Sequence, residues 1–249
     1  TRRCLESVLS APVRAPHQLI VIDDASPEPA LSSWLRDLER DGRITLLVHA
    51  ANAGFVASVN EGMRLHPDRD LVLLNSDTEV ANDWLDRLRR CADSHADIGT
   101  VTPFSNNATI CSYPDFCADN ALPEIGLAEL DAAFARANAG ACLDLPTAVG
   151  FCMYIKRDCL ERVGLFDAGR FGRGYGEEND FSLRAARIGW RNVLCADVFV
   201  FHAGGVSFQD ERERLMADSS ERLNSLHPEY EALVRKFVEA RINNEPKVV

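Results

Sequence analysis

No run of apolar residues in this chain approaches the roughly 18 that a membrane-crossing helix needs, so no segment reads as a transmembrane span. Two phosphate-cradling patterns are missing as well. There is neither a GxGxxG nor a GxxxxGK followed by Ser or Thr, so a dinucleotide fingerprint or a P-loop is not indicated. No CxxC occurs among the 8 cysteines (4, 91, 111, 117, 142, 152, 159, 195), which argues against a zinc knuckle or a thioredoxin-like pair. Positive charge is in short supply: 27 Lys and Arg face 38 Asp and Glu, a net −11 with no basic stripe. A field of that sign repels nucleic acid, and neither DNA nor RNA is expected as a partner. It also means that an anionic substrate needs local help from a metal ion, a helix N-terminus or a few placed cations. Thr1-Arg2-Arg3-Cys4-Leu5 has no apolar h-region of the secretory kind. Several thiols sit in apolar runs, among them Cys152 and Cys195; buried reduced cysteines suit a cytosolic compartment.

What is present is globular: 249 residues, 46% hydrophobic, with 15 Gly and 11 Pro, enough chain to bury a full core. Leu5, Val8 and Leu9 share one face of a helix over 3–10. Short apolar runs at 18–22, 44–49, 71–74 and 98–103 read as strands, and 30–40, 54–65 and 82–94 as helices between them. Runs without polar alternation predict a mostly parallel sheet covered by helices on both faces, an α/β fold. Residues 104–146 show little periodicity apart from a helix at 127–138. Beyond them, 148–155 and 192–201 read as strands. Residues 157–163, 177–188, 209–224 and 228–240 read as helices, the second stopped by Gly189. No internal repeat and no long linker divides the chain.

In such sheets ligands bind where the strands end. Asp23-Asp24 ends the first strand and Asn75-Ser76-Asp77 the third. Either is a plain turn, or Asp23 and Asp24 accept from a base or ribose while Asp77 offers a hard oxygen to Mg²⁺ or Mn²⁺. His202 ends another strand before two glycines. Carboxylate plus imidazole favours a Mn²⁺-like ion over Ca²⁺. Glu177-Glu178-Asn179-Asp180 opens a helix. Its acids complement the helix dipole, or divide the work of a general base and a hydroxyl ligand. The preceding loop, Phe171-Gly172-Arg173-Gly174-Tyr175-Gly176, is glycine-rich and aromatic, as a substrate-facing segment would be. His49, His66, His95 and Trp84 read as structural.

Taken in order, these pieces resemble the family 2 glycosyltransferases of the GT-A fold. They are Val21-Ile22-Asp23-Asp24-Ala25-Ser26, Asn52-Ala53-Gly54-Phe55, Leu74-Asn75-Ser76-Asp77, Gly164-Leu165-Phe166-Asp167, Tyr175-Gly176-Glu177-Glu178-Asn179-Asp180 with Arg184, and His202. The resemblance spans roughly residues 2–208. It implies that Asp23 and Asp24 hold the base and ribose of a nucleotide-sugar donor, with Asn52 beside them. Asn75 stands where the family has the first acid of its Asp-x-Asp motif and Asp77 where it has the metal-binding one; His202 completes the metal site with Mn²⁺ or Mg²⁺. Glu178 replaces the Asp of the family's Glu-Asp pair and inherits the part of catalytic base, with Glu177 toward the acceptor. Asp180 falls on the opposite helix face, about 200° away, where it pairs with Arg184.

The resemblance implies one glycosyltransferase domain over 1–249. Residues 1–105 form its nucleotide-sugar half, 106–208 its acceptor and catalytic half, and 209–249 a helical C-terminal tail. It also implies a further central strand ahead of the first helix. The expected activity is inverting transfer of a sugar, hexosyl in type, from a nucleoside diphosphate donor to a hydroxyl of a carbohydrate or lipid-linked glycan. Surface polysaccharide or glycoconjugate assembly is the expected setting, in the cytoplasm or at the inner face of the membrane. The alternatives are a nucleotidyltransferase, which would need a basic phosphate loop, and a non-catalytic carbohydrate-binding module.

Overall fold

A computed structural model describes residues 1–172, 174–204 and 209–243, with side chains at all of these except 209–217 and 243. Arg173 and the second of the two glycines after His202, Gly205, lie outside the described residues, as do the last six residues of the tail. The chain begins with α1 (Arg2–Ser10), β1 (Ile20–Asp23), α2 (Pro29–Arg40), β2 (Thr45–Val48) and α3 (Phe55–Arg64). Next come β3 (Leu71–Leu74), β4 (Thr78–Glu79), α4 (Trp84–Asp93) and β5 (Ile98–Phe104). A 3-10 turn at Thr109–Cys111 precedes α5 (Leu127–Ala137), β6 (Cys142–Leu145), β7 (Cys152–Ile155) and α6 (Arg157–Val163). Then follow α7 (Ala168–Phe171), α8 (Glu177–Arg187), β8 (Arg191–Phe199), β9 (Phe201–His202), α9 (Gln209–Leu226) and α10 (Tyr230–Asn243). Pro29 opens α2 at its first position, where the missing N–H costs nothing.

The α/β architecture is the expected one, but strand direction is more mixed than the apolar runs suggested. β1 and β2 pair in parallel, with Asp23 opposite Val48. The main sheet runs β3-β7-β5-β8-β6. Only its β5–β8 ladder is parallel; β3–β7, β5–β7 and β6–β8 are antiparallel. A continuous apolar run reports that both faces are covered and says nothing of direction. β7 is buried at all four positions between two antiparallel neighbours. β6 escaped detection because its middle residues, Leu143 and Asp144, are exposed. Among the described residues no ladder joins the β1–β2 pair to the main sheet.

Helices cover the main sheet on both sides. Leu88 of α4 and Phe134 of α5 pack with Ile98, Val101 and Phe199 in one core. Phe181 of α8 and Cys159 of α6 pack with Met153 and Ile155 in another. A third, small core under α2 joins Leu5, Leu35, Leu38, Ile44 and Leu46. All eight cysteines are free thiols; six are buried, Cys142 is half-buried and Cys117 is exposed.

One charged knot runs through the first core. Arg87 of α4 is 3% exposed and Asp131 of α5 fully buried. The guanidinium donates to Asp131, to the backbone carbonyl of Asp197 on β8 and, at 2.8 Å, to Asp83. Asp131 also accepts from the Phe199 N–H (2.9 Å) and the Asn82 side chain (2.8 Å). The knot thus fixes the end of β8, just ahead of His202. Removing Asp131 takes from the buried guanidinium its one buried carboxylate, and from the Phe199 N–H and the Asn82 side chain their acceptor. Asp131→Ala is therefore expected to lower unfolding free energy by about 3–5 kcal/mol, read by urea denaturation. A loss below about 1 kcal/mol, the worth of a surface pair, would contradict this.

Candidate active site

Asp77 follows β3, His202 lies on β9, and the two glutamates open α8. β4 and β9 form a two-residue antiparallel ladder with Thr78 opposite His202. That register sets His202 Nε2 3.4 Å from Asp77 Oδ1, across 125 residues of sequence. His202 Nδ1 lies 2.6 Å from the backbone carbonyl of Asn107. A carbonyl only accepts, so Nδ1 carries a proton; Nε2 faces Asp77 and donates to it in the charged ring, and loss of that one proton would free a lone pair for a cation. Asn106 clamps the same strand: its Oδ1 accepts the His202 N–H (2.8 Å) and its Nδ2 donates to the His202 carbonyl (3.0 Å). The Phe151 ring stacks on the imidazole at 5.4 Å. At Gly204 φ is +59°, and a Cβ there would sit 2.1 Å from Asn107 Nδ2, so a side chain at this turn would be strained and would displace the Asn107 amide.

The His202 hydrogen bond holds the Asp77 carboxyl below its ordinary value, against the opposing effect of burial. Burial resists the charged His202 ring, yet its bonds to Asp77 and Asn107 outweigh that and raise its pKa. Among the described residues no group of three or more His, Cys, Asp and Glu gathers as a metal cage. The donor set is one carboxylate and one imidazole whose far nitrogen is anchored, which fits Mn²⁺ or Mg²⁺ completed by phosphate oxygens. A cleft of about 480 Å³ opens beside Asp77, with Arg2, Arg3 and Ser76 on its walls. Arg3 pairs with Glu79 at 2.8 Å and Arg2 lies over Trp34, so two cations stand near an otherwise acidic site.

Asp23 and Asp24 differ sharply in surroundings. Asp23 is buried and accepts the Ser26 N–H (2.8 Å) and the Ser32 hydroxyl (3.0 Å), which shape its own turn. Asp24 accepts the N–H groups of Ala53 (2.7 Å) and Gly54 (2.9 Å) and contacts His49. The Asn52 side chain donates to the Asp24 carbonyl at 3.3 Å. These bonds hold both carboxyls below their ordinary value despite burial.

At the start of α8, Glu177 is 5% exposed, and its Oε2 finds no partner among the described residues; the same is true of Glu178 Oε2. Burial, with the Glu178 charge added, pushes Glu177 up to about 8. Burial raises Glu178 too, against backbone N–H groups at the helix start. Asp180 points the other way, 2.8 Å from Arg184 Nε and 2.8 Å from His227 Nε2. The expected Asp180–Arg184 pair is therefore present. Gly176, at φ +92°, lies under Ser219 of α9, where a Cβ would approach its Oγ to 2.5 Å.

Two neighbouring residues join the metal-type pair to the carboxyl pair. Phe151 stacks on His202, and its carbonyl accepts the Asn75 N–H at 2.9 Å. Gly150 faces the Glu178 side chain, whose Cγ would lie 3.5 Å from an added Cβ. On the other side Phe55 at the start of α3 packs under Gly174 of the loop before α8. His49 was read as structural, and Asn106, Phe151, His227 and Tyr230 were given no part in the site by sequence. The His49 signal was the parallel β1–β2 register, which puts it beside Asp24. Tyr230, whose hydroxyl is pushed up to about 12 by burial and the Glu178 charge, stands on α10, where no motif announced it.

Residues 1–220 match the family model described as "Glycosyltransferase like family 2". No curated protein matches the chain. Among solved structures it is similar to GalNAc-T7 with UDP, GalNAc and Mn²⁺, at 17% identity and TM-score 0.62, over 95% of this chain and 50% of that one. It is similar also to the mannosyltransferase PcManGT from Pyrobaculum calidifontis in complex with GDP-Man and Mn²⁺. There the identity is 15% and the TM-score 0.53, over 98% of this chain and 71% of that one. At such identities the likeness is one of fold, and the chain spans about half the length of GalNAc-T7.

The buried carboxyl pair has a thermodynamic signature. Glu177 keeps its proton to higher pH in the folded chain than in the unfolded one. Its contribution to stability is complete below its ordinary 4.5 and is lost as pH rises through about 8. Thermal melts across pH 5–9 should show the wild type losing stability on the alkaline side and Glu177→Gln losing less. Parallel curves for the two would contradict the burial of an ionisable Glu177.

Proposed function

The chain belongs to the family 2 glycosyltransferases, and from that premise we propose that it moves a sugar from a nucleoside diphosphate sugar to a hydroxyl acceptor with inversion at the anomeric carbon. What carries this is the meeting of two unlike pairs at Gly150-Phe151: Asp77 with His202, and Glu177 with Glu178. The first pair suits the diphosphate end of a donor and the second the acceptor hydroxyl.

Glu178 removes the acceptor proton as the oxygen attacks the anomeric carbon from the face opposite the diphosphate. Burial makes its carboxylate a stronger base than an exposed glutamate, nearer the working pH that general-base catalysis favours. Glu177, whose carboxyl is pushed up to about 8, can donate a hydrogen bond to the acceptor and orient it. Asp180, held by Arg184 and His227, fixes the first turn of α8 and so the direction of both glutamates. Asp77 and His202 would hold the divalent ion, Mn²⁺ or Mg²⁺. When bound, the ion supplies positive charge against the negative charge that grows on the leaving diphosphate. Asp23, Asp24, Asn52 and Asn75 border the nucleotide and sugar of the donor, with the 52–54 loop held in place by Asp24. The acceptor is a carbohydrate or a lipid-linked glycan, the sugar a hexose, and the setting surface polysaccharide or glycoconjugate assembly at the inner face of a membrane. Among the described residues no helix is long and apolar enough to cross one.

Two variants separate the roles. Glu178→Gln keeps shape but cannot take a proton, so kcat should fall by about 10²- to 10⁴-fold, the worth of a general base, while donor affinity stays nearly constant. Retention of more than about a tenth of kcat, well short of that range, would remove Glu178 from the role. Asp77→Ala should abolish the metal dependence of UDP or GDP binding measured by calorimetry with and without chelator. Equal wild-type affinity in both conditions would contradict the metal site.

A further inference from the structure

His49 stands one residue beyond β2, and its N–H donates to the Asp23 carbonyl at 2.9 Å. Its ring is 16% exposed and lies between two carboxylates. Nδ1 is 2.6 Å from Asp24 Oδ1 and Nε2 is 2.7 Å from Glu61 Oε2 on α3. A neutral imidazole has one N–H and one lone pair, whereas an ionised carboxylate only accepts. Two such contacts at hydrogen-bond distance need two N–H groups, which only the imidazolium has. Asp24 is at the same time the acceptor for the Ala53 and Gly54 N–H groups, and those residues follow Asn52. Ring, carboxylate and loop therefore form one connected unit.

We propose that His49, held as an imidazolium between Asp24 and Glu61, is a positioning residue that sets the 52–54 loop in its donor-binding form. Only the nucleotide part of this rests on the function proposed above. The titratable groups facing the ring are Asp24 from the end of β1 and Glu61 from α3; residues 50–54 carry no charge. Asp24 first, then Glu61, raises the His49 pKa above its ordinary 6.5. The imidazolium's contribution is complete below that ordinary value and is lost as pH rises through the raised one. The Asp24 contribution is complete above its ordinary 3.8 and is lost as pH falls through its lowered value. The clamp therefore holds around neutral pH and opens on the alkaline side.

The test is an NMR titration of the full chain, following the His49 ring nitrogens and the Ala53 and Gly54 amides. Both ring nitrogens should be protonated at pH 7, the ring should titrate above 6.5, and the two amides should shift with the same midpoint. In His49→Gln those amide shifts should vanish. A ring that titrates at or below 6.5, or amides that ignore it, would overturn the proposal. A second arm measures UDP and GDP affinity with Mg²⁺ at a pH below and a pH above the ring's measured midpoint. Wild-type affinity for the nucleotide that binds should drop about threefold to tenfold, one hydrogen bond's net worth, and the variant should start weaker and stay flat. Coupled amides with unchanged affinity would overturn the positioning role. No binding of either nucleotide by the wild type would overturn the function proposed above, and the loop coupling would still be decided by the titration.

Discussion

An acidic protein that is to receive a diphosphate must dispose of its own carboxylates first. At net −11, every acid near the strand ends would otherwise repel the ligand. Each of the six acids around this site is dealt with by a different neighbour. Asp23 is absorbed by Ser26 and Ser32, Asp24 by two amides and His49, and Asp180 by Arg184 and His227. Glu177 is buried and Glu178 half-buried with its Oε2 shielded, so that their protons are retained to higher pH. Asp77 is left ionised and faces an imidazole whose other nitrogen is tied to a carbonyl. The remaining negative group is thus the one suited to a cation.

The supporting structure serves this arrangement. The Arg87–Asp131 knot holds the end of β8, and Asn106 holds β9, so His202 has little freedom to turn. Phe151 covers one face of its ring. On the opposite side α9 and α10 press Ser219, His227 and Tyr230 toward α8, and the buried character of the two glutamates depends in part on that cover. Residues 221–249 fall beyond the family match, yet His227 reaches the first turn of α8.

The α/β order, most helix positions and the family were legible because long apolar runs and ordered motifs survive in a single sequence. The Asp180–Arg184 pair was legible from the i,i+4 spacing together with the family pattern. Strand direction was not, since burial of β7 on both faces looks the same whichever way its neighbours run. β4 and β9 are two residues each, too short for any alternation to show, although their ladder brings Asp77 to His202. His49 looked like an ordinary isolated histidine until the β1–β2 register placed it between two acids, and His227 belongs to a helix pair with no motif of its own.

Stereochemistry tests the central claim most directly. With Mn²⁺ and an α-linked UDP- or GDP-hexose, methanol can serve as a small hydroxyl acceptor whose glycoside does not mutarotate. A single proton NMR spectrum of the methyl glycoside then reports the anomeric configuration. A base at Glu178 acting opposite the diphosphate predicts the β-glycoside, abolished by chelator. An α-glycoside, or transfer that proceeds undiminished without metal, would contradict the account.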